Sequence, residues 1–221
     1  MGSSGYTLLF ASATVVSMLL LFQLAQRLLS PKLALRAGLT GPNPAAALLA
    51  VGNVVGVFMI AGAIVSNTVE GDSWKSDAIW VAAFGGVGLI VFELSSRVGT
   101  MMLLRSKLAS EIERGNVAAG IAAGGHAVAT GIIVARAMAG RNLHDLGLSL
   151  VFFVMAQASL HLLVILFRAL TAYDDADEIQ GENVAAALSY AGLTIAVGII
   201  VGRAVEGQFE NWAQALRGYG F

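Results

Sequence analysis

The chain has 221 residues, of which 57% are hydrophobic and only 12% are charged. Soluble domains carry about 25% charged residues, so the usual supply is roughly halved here. With a formal net charge of −1 and no cysteine, this composition excludes a soluble globular enzyme, a nucleic-acid binder and a disulfide-stapled secreted domain. Of the classes considered, only a membrane protein fits this composition.

Charged residues are absent from six intervals of the sequence: 1–26, 37–69, 78–92, 115–135, 146–167 and 183–202. A helix needs about 20 apolar residues to cross the hydrocarbon core, and one further turn brings the short third interval to this length. We therefore predict an all-α, polytopic membrane protein. Its six transmembrane helices are expected at about 7–29, 43–66, 76–98, 116–138, 146–169 and 183–204.

The tail at about 207–221 has Phe209, Trp212 and Leu216 at helical spacing. This pattern predicts a short interfacial helix, with docking on a partner as the alternative. Lys and Arg residues number eight on the side of connections 1–2, 3–4 and 5–6, the basic side, and five on the terminal side. By the positive-inside rule, both termini are expected outside the cell, in the periplasm.

The second, fourth and sixth predicted helices align without gaps, which indicates an internal repeat. Each begins with an asparagine (Asn43, Asn116, Asn183), and nine residues later each has a glycine (Gly52, Gly125, Gly192). Gly56 adds a small-xxx-small pair, so these glycines are predicted to pack helices closely in lipid. The predicted copies cover about 7–66, 76–138 and 146–204 within one transmembrane domain.

The odd helices repeat more loosely, with a Gln or Glu followed four residues later by a basic or imidazole group. The pairs are Gln23 with Arg27, Glu93 with Arg97, and Gln157 with His161. Two-helix copies re-enter the membrane in one orientation, so the fold is expected to contain three parallel repeats. A pseudo-three-fold bundle is the expectation, and a linear array of hairpins is the alternative.

Each repeated feature has a structural and a functional interpretation. The three asparagines cap helices, or they also form a ring of amides at the basic-side mouth. Glu93 and Arg97 form a functional intramembrane pair, or an ion pair whose arginine reaches the interface. His126 and His161 are expected to be packing residues rather than ligands, and we predict neither a metal nor a cofactor.

The acidic run at Asp174, Asp175, Asp177 and Glu178 departs from a calcium-binding loop and is expected to be a solvated loop. The segment continues through Glu182-Asn183-Val184-Ala185-Ala186-Ala187. This segment of the third copy, and the equivalent segment of the second copy from Glu111 to Ala119, resemble the bacterial inner-membrane family called domain of unknown function 350. That resemblance implies tandem two-helix units, an inner-membrane location and no established activity. The first copy departs from it, with Gly38 where the others have glutamate.

These observations favour a non-enzymatic inner-membrane protein that acts as a structural or regulatory subunit. Its expected partners are the lipid bilayer and either other membrane subunits or a second copy, with no nucleic acid. The alternative is a small channel or transporter whose polar path contains Gln23, Glu93, Gln157 and the asparagine ring. A third class, an intramembrane metal or proton-relay enzyme, would use His126, His161 and Glu93.

Overall fold

A computed structural model describes residues 3–29, 39–103, 105 and 108–206. Six helices in these ranges, called spans below, are long and apolar enough to cross a membrane. The spans are α1 (Ser3–Leu29), α2 (Pro44–Thr68), α3 (Trp74–Leu103), α5 (Val117–Ala137), α6 (Leu143–Ala169) and α8 (Val184–Ala204). Two short helices, α4 (Leu108–Glu113) and α7 (Asp175–Gln180), precede α5 and α8. The predicted tail helix, with Phe209, Trp212 and Leu216, lies outside the described residues.

The predicted all-α membrane fold is confirmed, and two local predictions are corrected. α3 continues to Leu103, past the predicted end at 98. Glu93 and Arg97 bond to one another along the helix, so these charges do not interrupt it. The acidic run is not a loop but the helix α7, because the carboxylate of Asp174 accepts hydrogen bonds from the first free amides of that helix.

The spans form two layers. The even spans α2, α5 and α8 lie in a row, where α5 packs extensively against both neighbours. The odd spans lie over this row: α1 contacts α2 and α3, α3 contacts α2 and α5, and α6 contacts α5 and α8. Within the described ranges, α2 and α8 share no extensive contact. The arrangement is therefore the linear array of hairpins rather than a bundle around a pseudo-three-fold axis.

Small residues on two faces of α5 explain its central position. On one face, a Cβ added at Gly120 or Gly124 would meet the α2 backbone, at Ala45 O and Leu48 O. On the other face, a Cβ added at Gly125 would overlap Ala191 of α8. These faces lie more than 100° apart around the helix, because each residue turns the chain by about 100°. α5 therefore brings its backbone close to two helices at once.

Candidate functional site

Polar side chains meet inside the membrane where the first predicted copy, copy 1, contacts the second, copy 2. Glu93 and Asn53 are buried there, on α3 and α2 respectively. Arg97 Nε donates to Glu93 Oε1 at 2.6 Å, one helical turn along α3. Gln26 of α1 and Thr100 of α3 line the same small cavity, which measures about 50 Å³. We call this group the copy 1–2 cluster.

The copy 1–2 cluster combines an ion pair, whose two charges cancel, with amide and hydroxyl groups. A cavity needs roughly 10–15 Å³ of probe-occupied volume to hold one water, so this one has room for a few. The hydroxyl of Thr100 donates to the carbonyl of Ser96 at 2.8 Å, as expected for a threonine inside a helix. The cluster can therefore hold water or a very small polar solute.

A second polar group, the copy 2–3 cluster, lies between α5, α6 and α8. The rings of His126 and His161 meet edge to face, with centroids 5.6 Å apart. Nδ1 of His126 is 3.3 Å from the hydroxyl of Tyr190, and the ring packs against Gly99 of α3, where a Cβ would overlap it. Nδ1 of His161 lies 2.7 Å from the carbonyl oxygen of Gln157. Since a carbonyl only accepts, this nitrogen of His161 carries the proton.

The buried side chain of Gln157 makes no hydrogen bond to the described residues through either amide atom. A buried amide without a partner costs free energy, and in native proteins such a group usually bonds to ordered water. The copy 2–3 cluster is thus incompletely satisfied by the described chain alone. Among the described residues, no three His, Asp or Glu side chains are grouped so that they could hold a metal ion.

The two clusters occupy one register of the predicted repeat. Asn53 and His126 each follow the helix-start asparagine by ten residues, and each approaches the odd-span pair of the next copy. Asn53, Gln26 and Tyr190 were not among the residues predicted from the sequence. For Asn53 a signal was available, because it aligns with His126; for Tyr190 no counterpart in the other copies pointed to it.

The three predicted odd-span pairs are placed differently. Glu93 with Arg97 belongs to the copy 1–2 cluster, and Gln157 with His161 belongs to the copy 2–3 cluster. Gln23 is half-buried and Arg27 is exposed on α1, the first span of the described residues. The pairs are therefore spread along the row and do not surround a common axis.

The helix-start asparagines cap their helices. The side-chain oxygen of Asn43 accepts from the amides of Ala45 and Ala46, and Asn116 accepts from Ala119. Asn183 accepts from Ala185 and Ala186. Each oxygen thereby satisfies amides that have no partner within the helix.

The amide nitrogens of these asparagines make a second contact that links neighbouring copies. Asn43 Nδ2 donates to the carbonyl of Ile112 at 2.6 Å, and Asn116 Nδ2 donates to the carbonyl of Ile179 at 2.8 Å. Both acceptors stand four residues before the next asparagine. Asn183 Nδ2 instead donates to its own copy's Glu178 at 2.7 Å. The asparagines form a row of links along the basic side.

Charged groups outside the spans reinforce the contact between copies 2 and 3. Arg105 pairs with Asp174 and Asp177 at 2.7 and 3.0 Å. Arg114 bonds to Glu111 and also to Glu182. The hydrogen bond with Glu111 is the largest of the effects that raise the pKa of Arg114.

Two neighbouring aspartates at the start of α7 titrate in opposite directions. Hydrogen bonding from the Ala176 amide, helped by the Asp177 amide and nearby arginines, lowers the pKa of Asp174. Burial raises the pKa of Asp175, although its ion pair with Arg168 at 2.9 Å opposes the shift. The helix α7 is therefore held by a carboxylate that is ionised at neutral pH.

A buried carboxylate at the terminal side was also not predicted from the sequence. Asp77 is 0% exposed and accepts from the Tyr6 hydroxyl at 2.8 Å and the Gly71 amide at 3.0 Å. Arg141 Nη2 donates to it at 2.9 Å, and Arg141 also pairs with Glu70. These bonds join α1, α3 and the α5–α6 connection, so Asp77 is a structural anchor.

A cleft of about 940 Å³ opens at the terminal side between α2, α5 and α6. Its rim carries Asn67, Arg136, His144 and Asp145, and Glu206 pairs with Arg136 there. Asn67 Nδ2 donates to the carbonyl of Met138 at 3.4 Å. Arg136 and Glu206 are thus paired with one another, and Asn67 is bonded to the backbone.

Comparison with known proteins decides the family. A family model described as Domain of Unknown Function (DUF350) matches residues 1–138 and 142–219. The chain belongs to this family. Neither the curated proteins nor the solved structures contain a significant match. The first DUF350 match covers copies 1 and 2, and the second covers copy 3, with the boundary in the α5–α6 connection.

Proposed function

We propose that this DUF350 protein is a non-enzymatic subunit of a membrane assembly, with a structural or regulatory role. The observation that carries the proposal is the pairing of buried charge. Within the described spans, the buried carboxylates Asp77 and Glu93 are each bonded to an arginine. Intramembrane charges that already have partners hold helices together, whereas a catalytic site needs reactive groups that face a substrate cavity.

The close packing of the even spans supports the same role. Backbones meet at Gly52 and Gly124, and again where Gly131 approaches Gly56. Contacts of this kind fix helix positions, because lipid offers no hydrophobic drive between helices. A protein whose helices are fixed in this way suits a role in which its outer surfaces bind partners.

Purification from cross-linked membranes tests the proposal. We expect the tagged chain, cross-linked in intact cells and extracted in mild detergent, to migrate as an assembly larger than one chain. Cross-linking before extraction guards against dissociation in detergent. A single chain, with neither a bound protein nor a second copy after cross-linking, would overturn the proposal.

A small channel or transporter is the second candidate, and the recurrence of the two polar clusters favours it. Polar groups at one register of successive copies could carry a polar species through the basic-side half of the membrane. Flux of common ions into liposomes tests this candidate. We expect Glu93→Ala to reduce any flux, while the exposed control Asp72→Ala leaves it unchanged. Absence of flux above empty liposomes rejects the candidate.

We further propose that the protein lies in a bacterial inner membrane with periplasmic termini. The excess of Lys and Arg on the basic side supports this orientation. Because the chain has no cysteine, single variants report topology directly. Asp72→Cys is expected to react with an impermeant maleimide in intact cells, and Tyr173→Cys only after permeabilisation. The opposite pattern reverses the orientation.

A further inference from the structure

The row of even spans has two unlike ends. Positions two, nine and thirteen residues after the helix-start asparagine form the face that each even span turns toward the next. This face is buried in α2 at Ala45, Gly52 and Gly56, and in α5 at Ala118, Gly125 and Ala129. The equivalent residues of α8 are exposed: Ala185, Gly192 and Ala196. We call these three residues the C-terminal edge.

The opposite end of the row lies on α2. Positions eight and fifteen after the asparagine turn toward the preceding span, and they are small and buried in α5 (Gly124, Gly131) and in α8 (Ala191, Gly198). In α2 they are Val51 and Phe58, which are 51% and 49% exposed. We call these two residues the N-terminal edge.

We propose that the chain associates with a second copy of itself head to tail, the C-terminal edge of one receiving the N-terminal edge of the other. The proposal rests on the proposed function and names the partner. The contact continues the α2–α5–α8 row in the register of the two contacts within one chain, with Val51 and Phe58 holding the two helices further apart than the small residues at the equivalent positions of α5 and α8. In that register, Gly192 faces Val51 of the second copy and Ala196 faces Phe58. A small residue then stands opposite a larger one at each contact.

Polar groups at both ends fit the same contact. Asn43 and Asn116 each donate to the carbonyl four residues before the next asparagine. For Asn183, which is exposed, the equivalent acceptor is the carbonyl of Leu39 in the second copy. This link on the membrane surface is independent of the packing inside the bilayer.

The odd spans provide a further match. Glu93 shares a cavity with Asn53 of the preceding even span, and His161 contacts His126 of the preceding even span. Gln23 and Arg27 occupy the same positions on α1, and no even span precedes them among the described residues. A half-buried glutamine in an apolar span is costly in lipid. Head-to-tail contact places α8 of the other chain beside α1.

Cysteine cross-linking tests the inference, since the chain contains no cysteine. Val51→Cys and Gly192→Cys are placed in separate chains with different tags and are co-expressed in one membrane. After oxidation, we expect disulfide-linked heterodimers at least about fivefold above the control. The control pairs Val51→Cys with Leu162→Cys, because Leu162 of α6 is also exposed and lies at a similar depth. A disulfide requires Cα atoms within about 7 Å.

A second pair, Phe58→Cys with Ala196→Cys, guards against a local defect and is expected to cross-link in the same way. Cross-linking of Gly192→Cys only to itself would show a symmetric α8 contact and overturn the head-to-tail arrangement. No cross-link in either pair would show that lipid, the tail or another protein covers the edges, and it would also overturn the inference. If neither pair cross-links, the purification experiment distinguishes the two proposals. An assembly with a different protein would leave the proposed function intact, whereas a chain that migrates alone would contradict both the proposed function and this inference.

Discussion

Single buried residues show where the free energy of folding is concentrated. Asp77 accepts hydrogen bonds from three parts of the chain and faces Arg141. Asp77→Asn preserves the shape of the side chain but leaves Arg141, which is itself mostly buried, without its most buried counter-charge. Arg141 keeps its ion pair with Glu70, so the cost is that of lost hydrogen bonds to a charged group, about 1.5–3 kcal/mol. We expect a loss of this size in the free energy of unfolding, measured by SDS titration in mixed micelles.

The exposed Asp72, five residues earlier, provides the control for this prediction. Asp72→Asn is expected to change the free energy of unfolding by less than about 0.5 kcal/mol, as is usual at surface positions. Equal effects of the two substitutions would contradict the anchoring role of Asp77.

The helix-start asparagines allow a second comparison at the residue scale. Asn183→Ala removes an exposed cap, which is expected to cost about 1 kcal/mol. Asn116→Ala is expected to cost at least about 1 kcal/mol more, because it also leaves the carbonyl of Ile179 and the carboxylate of Glu111 without their buried donor. Unfolding of both variants under one set of conditions checks this order, and equal losses would contradict it.

Sequence reasoning could identify these asparagines as caps, because a cap acts on amides two or three residues away. It could not identify their contact with the next copy. The acceptor of Asn116 Nδ2 lies 63 residues along the chain, and only the packing of α5 against α8 brings the two together. The role of Asp77 could not be predicted for the same reason, because its partner Arg141 lies 64 residues away in the sequence.

At the scale of elements, hydropathy predicted the spans because a helix in lipid must satisfy its own backbone. It did not predict α7, since an acidic run has the composition of a solvated loop. The missed signal was Asp174, a residue type that caps helices, which is the first residue of the run and stands directly before α7. Local hydrogen bonding, rather than burial of an apolar face, begins that helix.

The start of α7 should therefore depend on pH. The pKa of Asp174 is lower in the folded chain than in the unfolded chain, because the Ala176 and Asp177 amides and two arginines favour its charged form. Its stabilisation is complete above its unfolded pKa of about 3.9 and is lost as the pH falls through the lower, folded value. We expect hydrogen exchange of the Ala176 amide, corrected for intrinsic rates, to accelerate as the pH falls below about 4.

Asp174→Asn is the matched control, because asparagine caps helices without titrating. In that variant the pH dependence of protection at Ala176 should largely disappear. Asp175 does not mimic the effect, since burial raises its pKa and its protonated form is the one that folding favours. If protection of the Ala176 amide fell equally at low pH in the unmodified protein and in Asp174→Asn, this account would be contradicted.

The helix glycines also act at the scale of elements. A Cβ at Gly52 would overlap the backbone of Gly124, whereas a Cβ at Gly62 meets no atom of the described chain within 4 Å. Gly52→Ala is expected to cost about 1–3 kcal/mol or more by forcing α2 away from α5. Gly62→Ala should be neutral or stabilising by up to about 1 kcal/mol. Thermal denaturation in detergent compares them, and a stable Gly52→Ala protein would contradict the close approach.

At the scale of the whole molecule, the repeat register alone fits a row or a bundle, because both use equivalent faces in every copy. The two small-residue faces of α5 make the arrangement a row. Gly124 and Gly125 are adjacent in sequence, and nothing in the glycine pattern of one helix states which neighbour each one meets. The position of each copy along the row appears only when burial is compared between copies, as at Gly125 and Gly192.

A row built from nearest-neighbour contacts should tolerate a break in the chain between copies. The α5–α6 connection separates the two matched segments, and a cut between Gly140 and Arg141 leaves whole spans on both sides. We expect the co-expressed halves to insert separately and to reassociate through the α5–α8 contact, as helices do once they are independently inserted. Co-purification of the untagged half with the tagged half measures this.

Gly125→Leu in the first half should abolish that co-purification, because Gly125 meets Ala191 of α8 where no Cβ fits. Gly62→Leu, on the same half but in open space, should leave it unchanged. Halves that fail to associate would show that the copies depend on the connection itself. Halves that still associate with leucine at 125 would place the stability of the row in the charged contacts of the basic side, such as Arg114 with Glu182.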